Sequence, residues 1–351
     1  MFRSFLILSF SCLSLFCFSQ KVKNLKKDIQ QEVNQLDQII KSAHEKGAFN
    51  GNVLVSKNNK IIYKASFGFT DAAKTNTLTD EYRFHLGSIT KEFSAVALLQ
   101  LEEQGKLKLS DHVSKFIPEL PDWANEVTIK DLLQYTSGIP NVNWKTVKND
   151  KDIFNGLMLA NQLSFTPGTE YDYNINNLFL RQFIIEHVTG MPYKTYIKKF
   201  VFQPLKMNAS IMTPIANEKN IAKGFNNQLV PDKEELPITG GTYTTTMDLL
   251  KWADGLHFQK VVNQNSIYEL GQSFSIPDSQ SALGNAKFED KKLKEHFHDG
   301  RAGSFEATLF SDVENKITII LLSNSYSGKL PEISEAIYAV LKNKSPNSSQ
   351  K

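Results

Sequence analysis

The stretch HLGSITKEFSAVALLQLEEQG, residues 85–105, contains the helix from which the rest of the fold can be worked out. Its run from Phe93 to Leu101 is apolar nearly all round, and a helix of that kind is buried. Helical spacing places Ser88 and Lys91 on one face, which continues into the apolar run. The sequence therefore predicts a serine and a lysine at the mouth of the core, one helical turn apart.

This serine and lysine have two interpretations. Desolvation lowers the pKa of a buried lysine, and a partly neutral amine can accept the proton of a neighbouring hydroxyl. The first amides of a helix lack internal partners, so the N–H of Ser88 can also stabilise an oxyanion. In the alternative, Ser88 is a helix N-cap and Lys91 extends to solvent. The spacing alone is weak evidence, because a second Ser-x-x-Lys at residues 348–351 has no such context.

The composition is that of a globular protein. The chain has 351 residues, of which 41% are hydrophobic and 22% charged, so it can bury a large core. Its net charge of +3 gives no concentrated basic field, and no basic stripe is interleaved with aromatic residues. Nucleic acid is therefore not an expected partner.

Residues 1–19 are typical of a secretory signal peptide. Arg3 precedes an apolar run too short to span a bilayer comfortably, and permissive residues precede Gln20. An uncleaved membrane anchor is one alternative. A lipid anchor on Cys17 is another, although Phe16 is bulky where a small residue is required. We expect the mature chain to be secreted or periplasmic, with no stable membrane span after cleavage.

Both cysteines lie inside this segment, so the mature chain is expected to contain no thiol. Cysteine nucleophiles, cysteine-zinc sites and iron–sulfur clusters are thereby excluded. His296 and His298 would share one face of a strand, but the sequence offers no obvious third ligand. We expect neither a metal nor an organic cofactor.

Periodicity predicts an α+β fold whose antiparallel sheet is formed from both chain ends. Residues 24–46 have the spacing of an amphipathic helix, and residues 51–69 and 305–324 that of two hairpins. Residues 331–344 predict a terminal helix. Between the hairpins the chain consists mostly of helical runs broken by Gly and Pro.

We divide the mature chain into one domain and a tail. The domain is expected to span residues 20–343, with a sheet region at about 24–84 and 295–343 flanked by helices. A helical subdomain, at about 85–255, is inserted between them. Residues 344–351 are expected to be disordered.

Several short segments, taken in order, carry a family resemblance. They are FHLGSITK, TIKDLLQYTSGIP, PGTEYDYN, QPLKM, GGTYTTTMDLLKW and FHDGRAGSFEATL ahead of ITIILLSN. They resemble the serine β-lactamase and penicillin-binding protein superfamily, specifically the branch of class C β-lactamases, D-alanyl-D-alanine carboxypeptidases and esterases. The resemblance covers roughly residues 45–340. It implies a β-lactamase/transpeptidase-like fold and an exported serine hydrolase that forms an acyl-enzyme.

The resemblance also implies roles for particular residues. Ser88 would be the acylated nucleophile and Lys91 its partner amine. Tyr173 matches the tyrosine of the family's Tyr-x-Asn element and would act as general base and acid with Lys91. A tyrosine beside a lysine can ionise below its usual pKa of about 10. The alternative for Tyr173 is a core tyrosine satisfied by one hydrogen bond.

The triplet His298-Asp299-Gly300 is similar to the family's Lys/His-Thr/Ser-Gly strand. These three residues and Arg301 would bind substrate, with Gly300 letting it approach the strand edge. The backbone N–H of Arg301 would join that of Ser88 in an oxyanion hole. An ordinary edge strand is the alternative interpretation.

Two departures from the family pattern bear on function. Ile175 stands where the family has the asparagine of Tyr-x-Asn, so either Asn174 or Asn176 substitutes through a local shift or that contact is missing. Asp299 stands where a hydroxyl would receive the substrate carboxylate, which it repels unless Arg301 neutralises it. These departures favour an esterase or a D-aminopeptidase-like amidase over a β-lactamase.

The sequence thus predicts cleavage of an ester or amide bond, D-amino-acid peptides included, in a small ester or peptide-like substrate. One alternative is a catalytically weakened relative that binds an acyl or peptidoglycan-like ligand without efficient turnover, and Ile175 is its main support. Another is a secreted structural domain, which leaves the ordered motifs unexplained. The chain has no Gly-x-Ser-x-Gly elbow, which disfavours an α/β-hydrolase. Its oligomeric state stays open.

Overall fold

The computed structural model of the protein describes residues 29–215, 217–276 and 279–342. The predicted signal peptide, with both cysteines, and the predicted tail after residue 343 lie outside these residues. Within them, no helix combines the length and the apolar character that crossing a bilayer requires.

The central feature is a six-stranded antiparallel sheet, which confirms the predicted fold class. Its strand order is β2-β1-β9-β8-β7-β6, so the first hairpin joins the last one through β1 and β9. Gly51 pairs with Ser323 and Lys57 with Ile317 along this junction. The strands are β1 Gly51–Lys57, β2 Lys60–Phe67, β6 Asn285–Glu289, β7 Lys292–Ala302, β8 Phe305–Asp312 and β9 Ile317–Ser323.

Helices cover both faces of this sheet. Helix α1, helical over residues 29–45, and helix α9 (Leu330–Lys342) pack on one face against side chains such as Val53 and Ile319. Leu54 and its neighbours on the other face belong to the larger core. Strand β9 is buried on both faces, and for that reason its sequence ITIILLS is continuously apolar rather than alternating.

The region between the hairpins is helical only in part. The runs predicted as helices are confirmed in α3, α5 and α7. Residues 203–245 are instead mostly turns with two short strands, β4 and β5, which join β3 in a small sheet of order β3-β5-β4. Strands of two or three residues are too short to show an alternating pattern. The elements are β3 Phe84–His85, α2 Lys91–Glu103, α3 Ile129–Gln134, α4 Asp150–Met158, α5 Asn176–Thr189, α6 Tyr193–Ile197, β4 Ile211–Met212, β5 Thr242–Thr244, α7 Thr246–His257 and α8 Gln264–Leu270.

The two sheets bring distant parts of the chain together at one edge. Strand β6 pairs with β7 only as far as Phe297, so the last five residues of β7 have an open edge. The turn Gly87–Thr90, between β3 and α2, packs against that edge. The turn that leads into α2 therefore lies beside a strand about 200 residues further along the chain.

Candidate active site

Ser88 lies in a tight turn that is stabilised by a hydrogen bond to a histidine side chain. Gly87 has a φ of 55°, in the left-handed region that favours glycine, and its N–H donates to Nδ1 of His85 at 2.9 Å. Burial, with a smaller contribution from the charge of Lys91, lowers the pKa of His85 to about 4. His85 is therefore neutral near pH 7, with its Nδ1 free to accept this bond.

Lys91 is the first residue of α2 and lies directly behind Ser88. Its Nζ donates to Ser88 Oγ at 3.0 Å, and only 6% of the residue is exposed. Burial lowers the pKa of Lys91 to about 8, and the charge of Arg181 acts in the same direction. Since the shift makes the neutral amine accessible, Lys91 can exchange a proton with the Ser88 hydroxyl near neutral pH.

Tyr173 completes a cluster around the lysine. Its ring lies over Lys91, 4.9 Å from Nζ to the centroid, and 4.7 Å from the ring of Tyr135. Burial raises the pKa of Tyr173 above its ordinary value, although Ser88 and Arg181 oppose the rise. The expectation that this tyrosine ionises below its usual pKa is therefore wrong. Tyr173 is a neutral phenol here, and Lys91 is the better proton acceptor.

The open edge of β7 runs against the serine turn at two glycines. A Cβ on Gly300 would lie 2.0 Å from the Leu86 carbonyl oxygen and 2.9 Å from the Ser88 nitrogen. A Cβ on Gly87 would lie 2.2 Å from the Arg301 nitrogen. Gly300 thus admits the chain's own turn rather than only a substrate, and this contact brings the backbone nitrogens of Ser88 and Arg301 to one place.

Two residues of this cluster escaped the sequence analysis. Tyr135 is a buried residue in the left-handed region at the end of α3. Arg181 is fully buried in α5, with Cζ 4.9 Å from the Tyr135 ring centroid. Its Nε and Nη2 donate to the Leu132 carbonyl, and its Nη1 has no partner in the described part of the chain. An arginine inside the apolar run NLFLRQFII was the available signal.

The two asparagines beside Tyr173 have structural partners. Asn174 donates to the Ile139 carbonyl and accepts from the N–H of Asn176, while Asn176 donates to the Pro140 carbonyl at 2.7 Å. Both are buried and hold the loop that follows α3. In the described part of the chain neither of them hydrogen-bonds Lys91, whose Nζ has the Ser88 hydroxyl as its partner, so neither replaces the missing amide of the Tyr-x-Asn element. Ile175 lines the cavity with Ser88 and Lys91.

The side chain of His298 departs from its predicted position. It is buried, and its Nδ1 lies 2.6 Å from Oε1 of Glu92, the residue after Lys91. The imidazole therefore packs inside the protein rather than meeting substrate, which corrects its assignment to substrate binding. The alternation of β7 explains this, since 296, 298 and 300 all point toward α2.

Asp299 and Arg301 project from the opposite face of β7, and both are exposed. The Arg301 guanidinium stacks on Tyr326, with Cζ 3.8 Å from the ring centroid. Among the described residues, no ion pair joins it to Asp299. Asp299 is near enough to Tyr173 to contribute to the raised pKa of that tyrosine. Its negative charge therefore acts on the site without neutralisation by Arg301.

A cavity of about 450 Å³ opens in front of Ser88. Its walls are mostly apolar, and its polar groups include Glu235 and Thr213. The Tyr243 hydroxyl donates to Glu235 at 2.6 Å, and burial raises the pKa of this carboxyl. The apolar lining residues are Trp144, Ile175, Leu178, Phe179, Leu236 and Ile238. A cavity of this size and lining suits a small, largely apolar acyl group.

Glu92, His296 and His298 form a buried group whose ligand atoms lie within 4.8 Å of one another. These residue types can hold a metal ion. Here Oε1 of Glu92 is 2.9 Å from His296 and 2.6 Å from His298, which are hydrogen-bond distances. Glu92 could not be connected to the two histidines from sequence, because it lies about 200 residues before them.

Comparison with known proteins gives matches over most of the chain. The family model described as Beta-lactamase matches residues 36–343. Protein flp of Staphylococcus aureus strain N315 is 30% identical over 336 residues, which cover 89% of this chain. This chain spans 66% of the length of that relative.

Solved structures of other proteins have a similar fold. A penicillin-binding protein homologue from Pyrococcus abyssi, described as octameric, is 26% identical with a TM-score of 0.75, over 90% of this chain and 78% of its own. A class C β-lactamase is 21% identical with a TM-score of 0.76, over 91% of this chain and 98% of its own. The second likeness, at that identity, concerns the fold alone.

Proposed function

This chain belongs to the β-lactamase family, and on that premise we propose that it is an exported serine hydrolase that cleaves an ester or amide bond through an acyl-enzyme on Ser88. The observation that carries the proposal is the 3.0 Å hydrogen bond between Lys91 Nζ and Ser88 Oγ at the floor of the cavity. A nucleophile within hydrogen-bond reach of a base with a lowered pKa is the arrangement that acyl transfer requires.

In acylation, neutral Lys91 takes the proton of Ser88 while Oγ forms a bond to the substrate carbonyl carbon. The backbone N–H groups of Ser88 and Arg301 donate to the oxyanion of the tetrahedral intermediate. Neutral Tyr173 gives its proton to the leaving oxygen or nitrogen as the carbonyl carbon releases it. The lysine then returns its proton to the tyrosine, so no net proton is gained or lost.

In deacylation, a water molecule takes the place of the leaving group. Lys91 accepts one proton as the water oxygen bonds to the acyl carbon, and Ser88 Oγ recovers that proton from Lys91 as the acid product leaves. Ile175 bears on this step, because its side chain offers no hydrogen bond to the water, the lysine or a substrate amide. The proposed enzyme therefore favours esters and activated amides over ordinary peptides.

The charges around the cavity favour substrates without a carboxylate. Glu235 lines the cavity, and Asp299 is near enough to act on Tyr173; Arg301 also lines the cavity, but its guanidinium is stacked on Tyr326. Two carboxylates repel the acid group that β-lactams and D-Ala-D-Ala termini carry. They attract an amine, so D-amino-acid esters or amides with a free amino group are the substrates that we propose.

The first experiment is steady-state hydrolysis of p-nitrophenyl butyrate by the mature protein, residues 20–351, beside its Ser88→Ala variant. We expect multiple turnover that falls about 10³-fold or more in the variant. Ser348→Ala, in the second Ser-x-x-Lys of the sequence, is the matched control and is expected to behave as wild type.

Other outcomes would revise the proposal in different ways. A slow acyl adduct on Ser88 without turnover would indicate the alternative, a penicillin-binding-like protein that retains its ligand. A rate unchanged in Ser88→Ala would mean that the nucleophile is another residue. D-alanine p-nitroanilide beside its N-acetyl derivative tests the substrate class, and equal rates for the two would remove the preference for an amine.

A further inference from the structure

A second polar cluster lies beside the catalytic one, and the proposed chemistry does not use it. Its centre is Glu92, which is fully buried and accepts three side-chain hydrogen bonds. His296 Nε2 lies 2.9 Å and His298 Nδ1 2.6 Å from Oε1, while Trp252 Nε1 donates to Oε2 at 2.5 Å. His257 Nε2, in turn, lies 3.1 Å from His296 Nδ1.

The hydrogen bonds account for an ionised carboxylate in the core. Burial alone raises the pKa of a carboxyl, but the two histidines and their hydrogen bonds hold the pKa of Glu92 well below its usual range. An anion that accepts from three N–H donors has a fixed position, because moving it breaks charge-assisted bonds in a medium without water. Glu92 is therefore a rigid connection between α2, β7 and α7.

The position of this connection relative to the catalytic groups is specific. Glu92 follows Lys91 in α2 and lies four residues after Ser88, whereas His298 lies two residues before Gly300 and three before Arg301. The bond from His298 to Glu92 thus joins the element that carries the nucleophile and the lysine to the strand that carries the second oxyanion N–H. Those two elements meet otherwise through the backbone contact of Gly87 and Gly300.

We propose that Glu92, His296 and His298 form a positioning clamp that sets the distance between the Ser88 turn and the Arg301 N–H. This inference rests on the proposed function for its kinetic consequence and on the geometry alone for its structural one. Glu92 does not touch substrate; it acts through the backbone on either side. Since misplacement by about 1 Å can cost about 10²-fold in rate, loosening the clamp lowers kcat more than it raises KM.

The test compares Glu92→Gln with Asp248→Asn. Asp248 is a buried carboxylate of α7 that accepts from Ala209 N–H and Lys251, so its variant loses a comparable charge without touching α2 or β7. In Glu92→Gln we expect kcat for the ester to fall about 10- to 100-fold with KM within about twofold of wild type. Asp248→Asn keeps the kcat of wild type.

A second pair of variants separates the hydrogen bond from the packing. His298→Asn keeps an N–H donor near the position of Nδ1, whereas His298→Leu fills the space without a donor. We expect kcat of the asparagine variant to stay within about threefold of wild type, and that of the leucine variant to fall as in Glu92→Gln. Equal losses in both would overturn the clamp in favour of simple packing.

Hydrogen exchange gives a readout that does not depend on the reaction. The amides of residues 86–91 and 298–302 are expected to exchange about tenfold faster in Glu92→Gln and at the wild-type rate in Asp248→Asn. Unchanged exchange in Glu92→Gln would overturn the clamp even if the wild type proves to be inactive, an outcome that would separately overturn the proposed function. Stoichiometric zinc on the purified wild type, lost in Glu92→Gln, would overturn the hydrogen-bonded clamp in favour of a metal site.

Discussion

Lys91 and Glu92 are neighbours in the same helix and both are buried. Their surroundings destabilise the charged form of the lysine and stabilise that of the glutamate. The Lys91 ammonium has one side-chain hydrogen-bond partner in the described part of the chain, the Ser88 hydroxyl, and its pKa falls to about 8. The Glu92 carboxylate has three N–H donors, and its pKa lies well below the usual range. The lysine's charge is disfavoured and the glutamate's is favoured.

The difference indicates which group can react. A buried charge whose hydrogen-bonding capacity is filled stays where it is and in one protonation state. A buried amine with a single neutral partner loses its proton easily, and that is the property a general base needs. The Lys91 cluster is therefore the reactive one and the Glu92 cluster its support, and substitutions in each cluster test this contrast.

The largest effect is expected from Lys91→Met, which removes the amine and nearly keeps the volume of the side chain. Ester hydrolysis should fall by about 10³-fold or more, because Lys91 is the base that hydrogen-bonds the Ser88 hydroxyl. The free energy of unfolding should not fall, because a poorly solvated amine has been removed. Glu92→Gln should lower kcat less than Lys91→Met does, but it should lower the unfolding free energy by about 2 kcal/mol, since buried donors lose their anion.

Urea denaturation of the two variants beside wild type measures this contrast. A loss of stability in Lys91→Met as large as in Glu92→Gln would mean that the lysine is as well solvated as the glutamate. In that case its lowered pKa could not explain the chemistry.

The pH dependence should carry the signature of the lysine alone. With a pKa of about 8, neutral Lys91 becomes tenfold scarcer for each pH unit below that value, so kcat/KM should rise with pH and level off above about 8. Glu92 stays ionised throughout this range and adds no second limb. A plateau that already begins at pH 6 would contradict Lys91 as the base.

The lowered pKa of Lys91 also makes the free energy of unfolding depend on pH. The pKa of Lys91 is lower in the folded chain than the ordinary 10.5, so the unfolded chain binds more protons between about 8 and 10.5. The destabilisation from Lys91 is therefore complete below about pH 8 and is relieved as the pH rises to 10.5. The difference in unfolding free energy between wild type and Lys91→Met should shrink over that window.

The features of this contrast that could be predicted from sequence are those set by residues close together in the chain. The apolar run after Lys91 predicts a buried helix and a lowered lysine pKa, because both follow from residues within two helical turns. The hairpins and the sheet from both chain ends are predicted for the same reason, since each hairpin is a local pattern. The family resemblance carried by the ordered segments then indicated Ser88, Lys91 and Tyr173 as members of the site.

The remaining features depend on pairs that no local pattern connects. The Glu92 network joins residues more than 200 positions apart, and His298 therefore resembled a substrate-binding residue until its partner was seen. The raised pKa of Tyr173 results from desolvation and the charge of Asp299, opposed by Arg181 and Tyr135, and these residues come from separate segments. Asn174 and Asn176 are committed to carbonyls of the loop after α3, a tertiary contact with no code in the sequence.

A smaller effect is expected from Ile175→Asn, which gives the buried lysine an additional hydrogen-bond partner, as the buried glutamate already has. An amide at this position of the cavity can hydrogen-bond the ammonium and raise the pKa of Lys91, moving the kcat/KM limb up by about one pH unit. The same amide can bind a substrate amide, so hydrolysis of D-alanine p-nitroanilide should rise about tenfold relative to the ester. Ile175→Val is the control, and an identical ester-to-amide ratio in both variants would show that the missing asparagine is not limiting.

The smallest effect is expected at Asp299, on the exposed face of β7. Asp299→Thr removes a charge that raises the pKa of Tyr173 and repels a substrate carboxylate, so acylation by benzylpenicillin should increase about fivefold. Asp299→Glu keeps the charge and should acylate as slowly as wild type. Because the charge is exposed, the advantage of the threonine variant should shrink in 0.5 M salt, where screening extends over only a few ångströms. Equal acylation of wild type and Asp299→Thr, followed by intact mass at low salt, would remove Asp299 as a determinant of specificity and leave the apolar cavity wall to set it.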